Sequence, residues 1–380
     1  MTEIGTDPVP LVDLPWQHAE IAEDIVPKLL EVMASGGFIQ GKDVSAFEAE
    51  FAAFCGVSHC VGVGNGTDAL ELALRGAGIG AGSSVILPAN TFIATAEAVV
   101  RAGAHPVLVD CDEHFLLDVA KVADRLDDQT GAVMPVHLYG QMADMESLAE
   151  VLKGRDITVI EDAAQSQGAE RNEHGIGWWG AAAGTSFYPG KNLGAYGDGG
   201  AVVTRDETIA HEVRLLANHG SDSKYVHTSV GYNSRLDTLQ AVVLRAKLAR
   251  LADWNFQRRQ AADRYQTLLE PLRDAGLISL PSVSPGNTHV WHLYVVRVAN
   301  RNAVLDRLHD SGIGAGIHYP FPIHLQKAFG HLGYKFGDFP VAERAALEIL
   351  SLPIYPGITE PIQVRVVEAL SRALEQTRAS

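Results

Sequence analysis

Four short apolar runs, separated by helical patterns, constrain the fold of this 380-residue chain more than any other feature. They read SSVILPANTF, HPVLVDCD, GAVMPVHLYG and DITVIEDAAQ, and each ends in polar residues or a glycine. Because the runs are apolar on both faces, they predict strands of a parallel sheet covered by helices. The sequence therefore predicts an α/β fold with a mostly parallel central sheet, in which ligands bind at the carboxyl ends of the strands.

The pattern also predicts how the chain divides into domains. A helical stretch from about Leu236 to Leu272, broken once, is followed by a predicted strand over residues 288–298 and an amphipathic helix. We expect a large domain over residues 36–250 and a smaller C-terminal α+β domain over residues 251–380, with residues 1–35 packing on the small domain. Nearer the N-terminus, the helix of VSAFEAEFAAFCG is predicted to be capped by Asp43.

Charge and composition exclude several classes of protein. The formal net charge of −16 argues against nucleic acid or an anionic membrane as the main partner. No run of about 18 apolar residues could span a bilayer, and the N-terminus does not resemble a signal peptide. Three cysteines fit a reducing compartment, and a zinc site at Cys55, His59 and Cys60 lacks a second ligand pair. We expect a cytoplasmic protein without a metal site.

Lys191 stands alone among five glycines in SFYPGKNLGAYGDGG, residues 186–200. One interpretation is a phosphate-binding P-loop, but that motif needs Ser or Thr after the lysine, where this chain has Asn192. Thr185 also stands where the first glycine of the motif belongs. The other interpretation is a covalent role: an imine with pyridoxal phosphate (PLP) would overcome the low reactivity of a protonated amine.

PLP would also need a phosphate site, a carboxylate for its pyridinium nitrogen and a group against its ring. GNGTDALELAL offers Gly66 and a helix N-terminus beginning near Thr67, and the Ser186 hydroxyl can add a donor. The same pattern also suits an ordinary turn with a threonine cap.

Asp162 ends a predicted strand, where a buried carboxylate needs a partner, and a pyridinium would serve. Gln165 could donate to the ring hydroxyl of PLP, and Phe92 could lie against the ring. A helix cap and a core aromatic are the alternatives for Asp162 and Phe92. The order of glycine turn, strand-end aspartate and lysine favours the cofactor more than any one motif does.

With these motifs in place, the chain resembles the DegT/DnrJ/EryC1 sugar aminotransferases, PLP enzymes of fold type I. The resemblance covers nearly the whole chain, through GNGTDAL, PANTFIATAEAV, PVHLYGQ, IEDAAQSQGA, SFYPGKNLGAYGDGGAVVT, GYNSRLDTLQA and IHYPFPIHLQKAF. It implies a homodimer in which Asn233 of one subunit completes the phosphate site of the other. It also implies a Schiff-base lysine and a set of cofactor contacts: Lys191, Asp162, Gln165, Phe92, Gly66, Thr67 and Ser186.

The substrate is indicated by GIHYPFPIHLQKAF, which resembles family members that act on 3-keto-6-deoxyhexoses. The candidate substrate contacts are Tyr188, His219, Lys224, Arg235, His318, Tyr319 and His324. The chain departs from the family at Trp178 and Trp179, which stand where members commonly have a GSxGD-like stretch. We interpret these tryptophans as packing residues, with a substrate or dimer surface as the alternative.

These features predict a PLP-dependent aminotransferase that converts a dTDP-linked 3-keto-6-deoxyhexose to its 3-amino sugar with L-glutamate as donor. The resemblance leaves two other substrates open, a 4-keto nucleotide sugar and a cyclitol. Two functions of other classes stay open as well, a nucleotide-binding protein and a PLP-binding regulator without turnover.

Overall fold

The computed structural model describes residues 7–378, so part of the segment predicted over residues 1–35 lies outside the described residues. The strands are β1 His59–Val63, β2 Ser84–Pro88, β3 His105–Val109, β4 Thr130–Val133, β5 Thr158–Asp162, β6 Glu170–Arg171, β7 Ala182–Ser186, β8 Gly200–Thr204, β9 Ser221–Ser223, β10 Val226–His227, β11 Ile278–Ser279, β12 Asn287–Thr288, β13 Tyr294–Val298 and β14 Ile349–Leu352. The helices are α1 Leu14–Ala19, α2 Ala22–Ser35, α3 Lys42–Cys55, α4 Gly66–Gly76, α5 Ile93–Ala102, α6 Val119–Ala123, α7 Met145–Leu152, α8 Glu207–Ala217, α9 Thr238–Leu268, α10 Glu270–Asp274, α11 Arg301–Asp310, α12 Pro340–Glu348 and α13 Glu360–Arg378. Within residues 7–378, no helix is both long and apolar enough to cross a bilayer.

A seven-stranded sheet forms the centre of the fold, in the order β1-β8-β7-β5-β4-β2-β3. Strand β8 is antiparallel to both of its neighbours, and the other adjacent pairs are parallel. The four apolar runs of the sequence are β2, β3, β4 and β5, which lie side by side. Every residue of β2 is buried, as expected for a strand covered on both faces. The predicted α/β fold is confirmed.

Helix α4 packs unusually close to the sheet, and Gly184 on β7 permits this. A Cβ atom at Gly184 would lie 2.8 Å from Leu70 Cδ2 and 3.0 Å from the Leu70 backbone nitrogen. The missing side chain therefore lets the helix backbone approach the strand directly. This contact holds the N-terminus of α4 beside the carboxyl end of β7.

A smaller antiparallel sheet, β11-β13-β14, lies toward the C-terminus. Tyr294 and Leu352 belong to its buried core, together with residues of α11 and α13. The strand predicted over residues 288–298 is shorter than expected, because Trp291 adopts a left-handed φ of 46° that interrupts extended backbone. The predicted break in the long helix lies at Leu269, between α9 and α10.

The N-terminal residues contact two parts of the molecule. Val9 forms a parallel bridge with Ile313, which belongs to the core around the smaller sheet. Helix α2 instead packs through Ile25 in a cluster with Val243 and Trp254 of α9. Since α9 runs without interruption past residue 250, the division into domains stays a prediction.

The N-terminal cap predicted for α3 is wrong. The helix begins at Lys42 and its cap is Gly41, whose φ of 98° suits glycine. Asp43 lies in the first turn instead, where its carboxylate accepts a hydrogen bond from Arg245 at 2.9 Å. Arg245 on α9 thus binds the Asp43 carboxylate, which the sequence pattern had predicted to cap the helix.

A buried carboxylate, Glu161 on β5, anchors the loop that carries the two tryptophans. It accepts hydrogen bonds from the backbone nitrogens of Gly177 at 3.1 Å and Gly180 at 2.6 Å. His137 lies 2.9 Å away through Nε2, and its Nδ1 accepts from Ala143, so Nε2 carries the proton and donates to Glu161. Both oxygens of the Glu161 carboxylate therefore accept hydrogen bonds from groups inside the protein.

The tryptophans themselves make packing contacts. Trp178 stacks on His174 with ring centroids 3.5 Å apart, and the Arg205 guanidinium lies 4.9 Å above the Trp178 ring. Trp179 packs against apolar side chains of two core clusters. These contacts support the interpretation of the pair as packing residues.

We expect Glu161→Gln to lower the free energy of unfolding by about 3 kcal/mol, because a carboxamide cannot accept from all of these donors. Chemical denaturation measures the change as a lower midpoint at constant slope. Glu150→Gln, at a side chain that is 73% exposed, is the matched control and should shift stability by less than about 0.5 kcal/mol. Equal stability of the two variants would contradict the anchoring role.

Candidate active site

A cavity of about 780 Å³ opens at the carboxyl ends of β5 and β7. The predicted cofactor contacts that line it are Gly66, Thr67, Phe92, Asp162, Gln165, Ser186 and Lys191. The predicted substrate contacts Tyr188, His318 and Tyr319 line it as well. Residues more than 100 positions apart in the chain thus meet at the sheet edge that the strand pattern indicated.

The N-terminus of α4 forms one wall and is built to hold an anion. Asn65 caps the helix by accepting from the Asp68 backbone nitrogen at 2.9 Å, which leaves the first-turn amides at Gly66 and Thr67 beside the cavity. A Cβ atom on Gly66 would lie 2.6 Å from the Cβ of Ser186. The glycine therefore brings the helix end and the Ser186 hydroxyl together around one small space.

Asp162 is a buried carboxylate at the end of β5. Its Oδ2 accepts from the Thr95 hydroxyl at 2.7 Å and its Oδ1 from the Ala164 backbone nitrogen at 3.1 Å. Burial raises the pKa of Asp162, although these hydrogen bonds and the nearby Lys191 oppose the shift. No ion pair to Asp162 is found among residues 7–378, so the carboxylate suits a cationic group bound in the cavity.

Lys191 projects from a tight loop into the same cavity. A Cβ on Gly194 would lie 2.2 Å from the Pro189 carbonyl oxygen, so this turn requires glycine. The Lys247 ammonium donates to the Gly194 carbonyl at 2.7 Å and fixes the loop from behind. Burial lowers the pKa of Lys191 to about 8, with Asp162 opposing the shift. The amine is therefore far closer to its reactive neutral form than an exposed lysine.

This pKa gives a pH prediction for the apoprotein. Since the neutral amine is the nucleophile and its pKa is about 8, the rate of covalent PLP capture should rise about tenfold per pH unit below 8. The rate should level off above that pH, as the amine becomes fully neutral. Stopped-flow absorbance after mixing apoprotein with PLP measures this profile, and a rate still rising steeply at pH 10 would contradict the lowered pKa.

The orientation of the Gln165 amide follows from its neighbours. Its Oε1 accepts from the Tyr139 backbone nitrogen at 2.7 Å, so Nε2 points the other way and donates to the Tyr319 hydroxyl at 3.1 Å. The Tyr319 ring in turn lies 5.1 Å from the Phe92 ring, which is half exposed to the cavity. A planar cofactor ring lying against Phe92 would have the Gln165 amide donor at its edge.

Several predicted residues lie outside the cavity. Arg235 donates to Asn233 Oδ1 at 2.6 Å and to Asn218 Oδ1 at 3.0 Å, next to a surface hairpin formed by β9 and β10. His219 and Lys224 are exposed on and beside that hairpin. None of these four predicted residues lines the cavity formed by residues 7–378.

His324 is placed differently from the expectation. Its ring is fully buried and its Nε2 lies 2.9 Å from Glu343 Oε1 on α12. Because Glu343 also accepts from the backbone nitrogens of Gly337 and Phe339, the pair fixes a loop rather than facing the cavity. His324 therefore does not line the cavity.

Comparison with known proteins identifies the family of this chain. Residues 19–371 match the DegT/DnrJ/EryC1/StrS aminotransferase family. The chain belongs to this family. It is 47% identical, over 95% of its length and 98% of the relative, to the erythromycin biosynthesis sensory transduction protein EryC1 of Saccharopolyspora erythraea. It is 43% identical to dTDP-3-amino-3,4,6-trideoxy-alpha-D-glucose transaminase of Streptomyces venezuelae, over 98% of this chain and 97% of that protein.

The solved structure of S. venezuelae DesV in complex with a ketimine intermediate superposes with a TM-score of 0.93 at 43% identity. The match covers 97% of this chain and 99% of that one. Together these matches confirm the predicted family, the aminotransferase fold, the enzyme class and, through the family, PLP as the cofactor.

Two residues of this DegT/DnrJ/EryC1/StrS aminotransferase were not predicted from the sequence. Thr95 binds Asp162, and His292 lines the cavity near Lys191. Thr95 lies on α5 four positions after Thr91, which precedes the helix, and their hydroxyls are 2.7 Å apart, so the spacing of the two threonines was only a weak signal. His292 lies in the irregular stretch before β13, where no periodic pattern identifies which way a side chain points.

Proposed function

We propose that this chain converts a dTDP-linked 3-keto-6-deoxyhexose to the corresponding 3-amino sugar, with PLP as cofactor and L-glutamate as amino donor. The arrangement of Lys191 and Asp162 in one cavity, beside the anion site at the start of α4, is the observation that supports it most. The name of the S. venezuelae relative, a dTDP-3-amino sugar transaminase, supports the substrate. Cytoplasmic location stays a prediction.

Six residues of the cavity have a stated role in this proposal. The Gly66 and Thr67 amides and the Ser186 hydroxyl would hold the phosphate, and Asp162 would pair with the pyridinium nitrogen. Bound PLP supplies an electron sink that stabilises the substrate carbon after it loses a proton. The Lys191 Nζ, once free, would move that proton between the substrate carbon and C4′ of the cofactor. Gln165 Nε2 would donate to the ring hydroxyl.

A neighbouring subunit would complete the site. The β9–β10 hairpin and the residues just after it carry exposed apolar side chains, with Tyr225 of the hairpin turn at 83% and Val230 at 95% exposure. Such side chains favour burial against another protein surface. We propose that Asn233 beside this hairpin reaches the phosphate site of a second copy, and that Arg235, His219 and Lys224 approach the substrate there.

The substrate is tested by supplying PLP-loaded protein and L-glutamate with either a dTDP-3-keto-6-deoxyhexose or its 4-keto isomer. We expect the 3-keto sugar to be aminated at least tenfold faster, with the product identified by mass spectrometry and the amine position by NMR. Faster amination of the 4-keto isomer would overturn the regiochemistry. PLP binding without amino transfer to any sugar would favour the regulator instead.

The anion site yields a prediction at Gly66. Since a Cβ there would collide with Ser186, we expect Gly66→Ala to weaken PLP binding at least tenfold by spreading the two phosphate-binding elements apart. Fluorescence titration of apoprotein with PLP measures this change. Gly330→Ala is the control, because a Cβ at Gly330 meets no atom within 4 Å. Equal affinities would place the phosphate elsewhere.

A further inference from the structure

A chain of buried amides behind Lys191 has its hydrogen-bond directions set by backbone carbonyls. Asn255 donates through Nδ2 to the Gln167 carbonyl at 2.9 Å, so its Oδ1 faces Asn192 as an acceptor. Asn192 Nδ2 donates to that Oδ1 and to the Val290 carbonyl, each at 3.0 Å. Because a carbonyl can only accept, both amide orientations follow without choice.

The last member of this chain is His292. Asn192 Oδ1 is an acceptor and lies 3.1 Å from His292 Nδ1, so Nδ1 must carry the proton. Burial, together with the nearby Lys191 and Arg258, lowers the pKa of His292 well below its usual value, so the ring is neutral. In a neutral imidazole with a protonated Nδ1, Nε2 carries no hydrogen and can only accept a hydrogen bond.

The unprotonated Nε2 of His292 lies at the surface of the cavity. His292 is 8% exposed and lines the Lys191 cavity. Among residues 7–378, Nε2 has no hydrogen-bond partner, and it is not fully enclosed by protein atoms. Its accessible surface therefore faces the space into which Lys191 projects.

The second histidine of the cavity lacks this constraint. His318 Nδ1 lies 2.8 Å from the Ser351 hydroxyl, which can rotate to donate or accept. Its tautomer is therefore free to change, whereas that of His292 is set by the two asparagines. Of the two cavity histidines, His292 therefore presents the acceptor whose orientation is fixed.

We propose that His292 is a positioning residue whose Nε2 accepts a hydrogen bond from Lys191 Nζ once a bound substrate has displaced that amine from the cofactor. In the unliganded protein the Lys191 side chain makes no hydrogen bond within residues 7–378. This inference rests on the proposed function. A neutral amine has two N–H bonds and one lone pair, and a fixed acceptor for one N–H limits how the nitrogen turns. The lone pair then faces the substrate carbon, takes its proton and becomes ammonium, which the same acceptor continues to hold.

A pair of substitutions separates this role from support of the fold. His292→Asn keeps a donor at the place of Nδ1 and so keeps the bond to Asn192, but it removes the acceptor. His292→Gln places its amide oxygen near the former Nε2. We expect the rate of the glutamate half-reaction, followed by loss of the visible PLP band, to fall about 100-fold in His292→Asn. In His292→Gln we expect at least a tenfold recovery of that loss.

Deuterium at Cα of glutamate gives a readout that a purely structural role would not change. The isotope effect on the half-reaction should increase in His292→Asn, since proton transfer becomes the slowest step. Wild-type rate in His292→Asn would overturn the proposal, as would equally slow Asn and Gln variants with an unchanged isotope effect.

The tautomer of His292 can be measured in the apoprotein, without cofactor. Long-range proton–nitrogen NMR of apoprotein carrying ¹⁵N-histidine should show a protonated Nδ1 and a bare Nε2 for His292, assigned from the signal that His292→Gln lacks. A protonated Nε2 would overturn the inference by itself. Wild-type protein that binds no PLP, or does not react with glutamate, would instead overturn the proposed function and the role that rests on it.

Discussion

Lys191→Ala should reduce amino transfer from glutamate by about 10⁴-fold, because it removes both the covalent attachment point and the group that moves the proton. The effect should be specific to chemistry, since the Lys191 side chain makes no hydrogen bond within the described chain and lines a cavity. We therefore expect the variant to unfold at nearly the same denaturant concentration as wild type. Rapid-mixing absorbance with saturating glutamate measures the rate.

The covalent site is located by borohydride reduction and peptide mass spectrometry. Wild type should carry the reduced PLP mass on the peptide that contains Lys191, and Lys191→Ala should carry none. Lys153→Ala, at a side chain that is 73% exposed, is the matched control and should behave as wild type. Labelling at a different lysine in wild type would contradict the assignment.

Asp162→Asn should slow the glutamate half-reaction by about 10²- to 10³-fold while PLP still binds. The carboxamide matches the shape of the carboxylate. Its oxygen can accept from the Ala164 nitrogen while its NH2 donates to the Thr95 oxygen, because the Thr95 hydroxyl can turn to donate to Thr91. It cannot stabilise a protonated pyridinium nitrogen, so the electron sink weakens. The half-reaction rate and the PLP affinity, measured on the same preparation, separate these two effects.

The same substitution should not destabilise the apoprotein. Burial raises the folded-state pKa of Asp162 above its unfolded value, so ionisation at neutral pH opposes folding. This penalty grows as the pH rises from the unfolded pKa through the folded one, and Asn removes it. Chemical denaturation of apoprotein at pH 7 should give Asp162→Asn at least the wild-type stability. Exposed Asp156→Asn is the control for both measurements, and a slow but destabilised Asp162→Asn would indicate a structural role.

The sequence predicted the part of the site that depends on local pattern. Asp162 and Ser186 lie at the ends of buried strands, and the helix after Asn65 begins within a residue of its predicted start. Parallel strands bring their carboxyl ends to one edge, so recognition of β5 was sufficient to place Asp162 there. Strand β7 was not predicted, and Lys191 was identified instead by the glycines around it.

Contacts across long distances in the chain were not predictable in the same way. His292 acquires its fixed tautomer from Asn192, 100 positions earlier, and Asn192 is held by Asn255 on α9. His324 and His318 lie six residues apart in one motif, yet Glu343 on α12 holds the former away from the cavity. Which histidine meets the cavity depends on how α9 and α12 pack, and a residue pattern does not carry that information.

The visible absorbance of purified protein with added PLP, followed by L-glutamate, tests the role of Lys191 most directly when wild type and Lys191→Ala are compared. We expect a yellow band in wild type that glutamate bleaches. We expect no such lysine-linked band in Lys191→Ala. Absence of the band in wild type would contradict the assignment of Lys191 and its cavity as a PLP site.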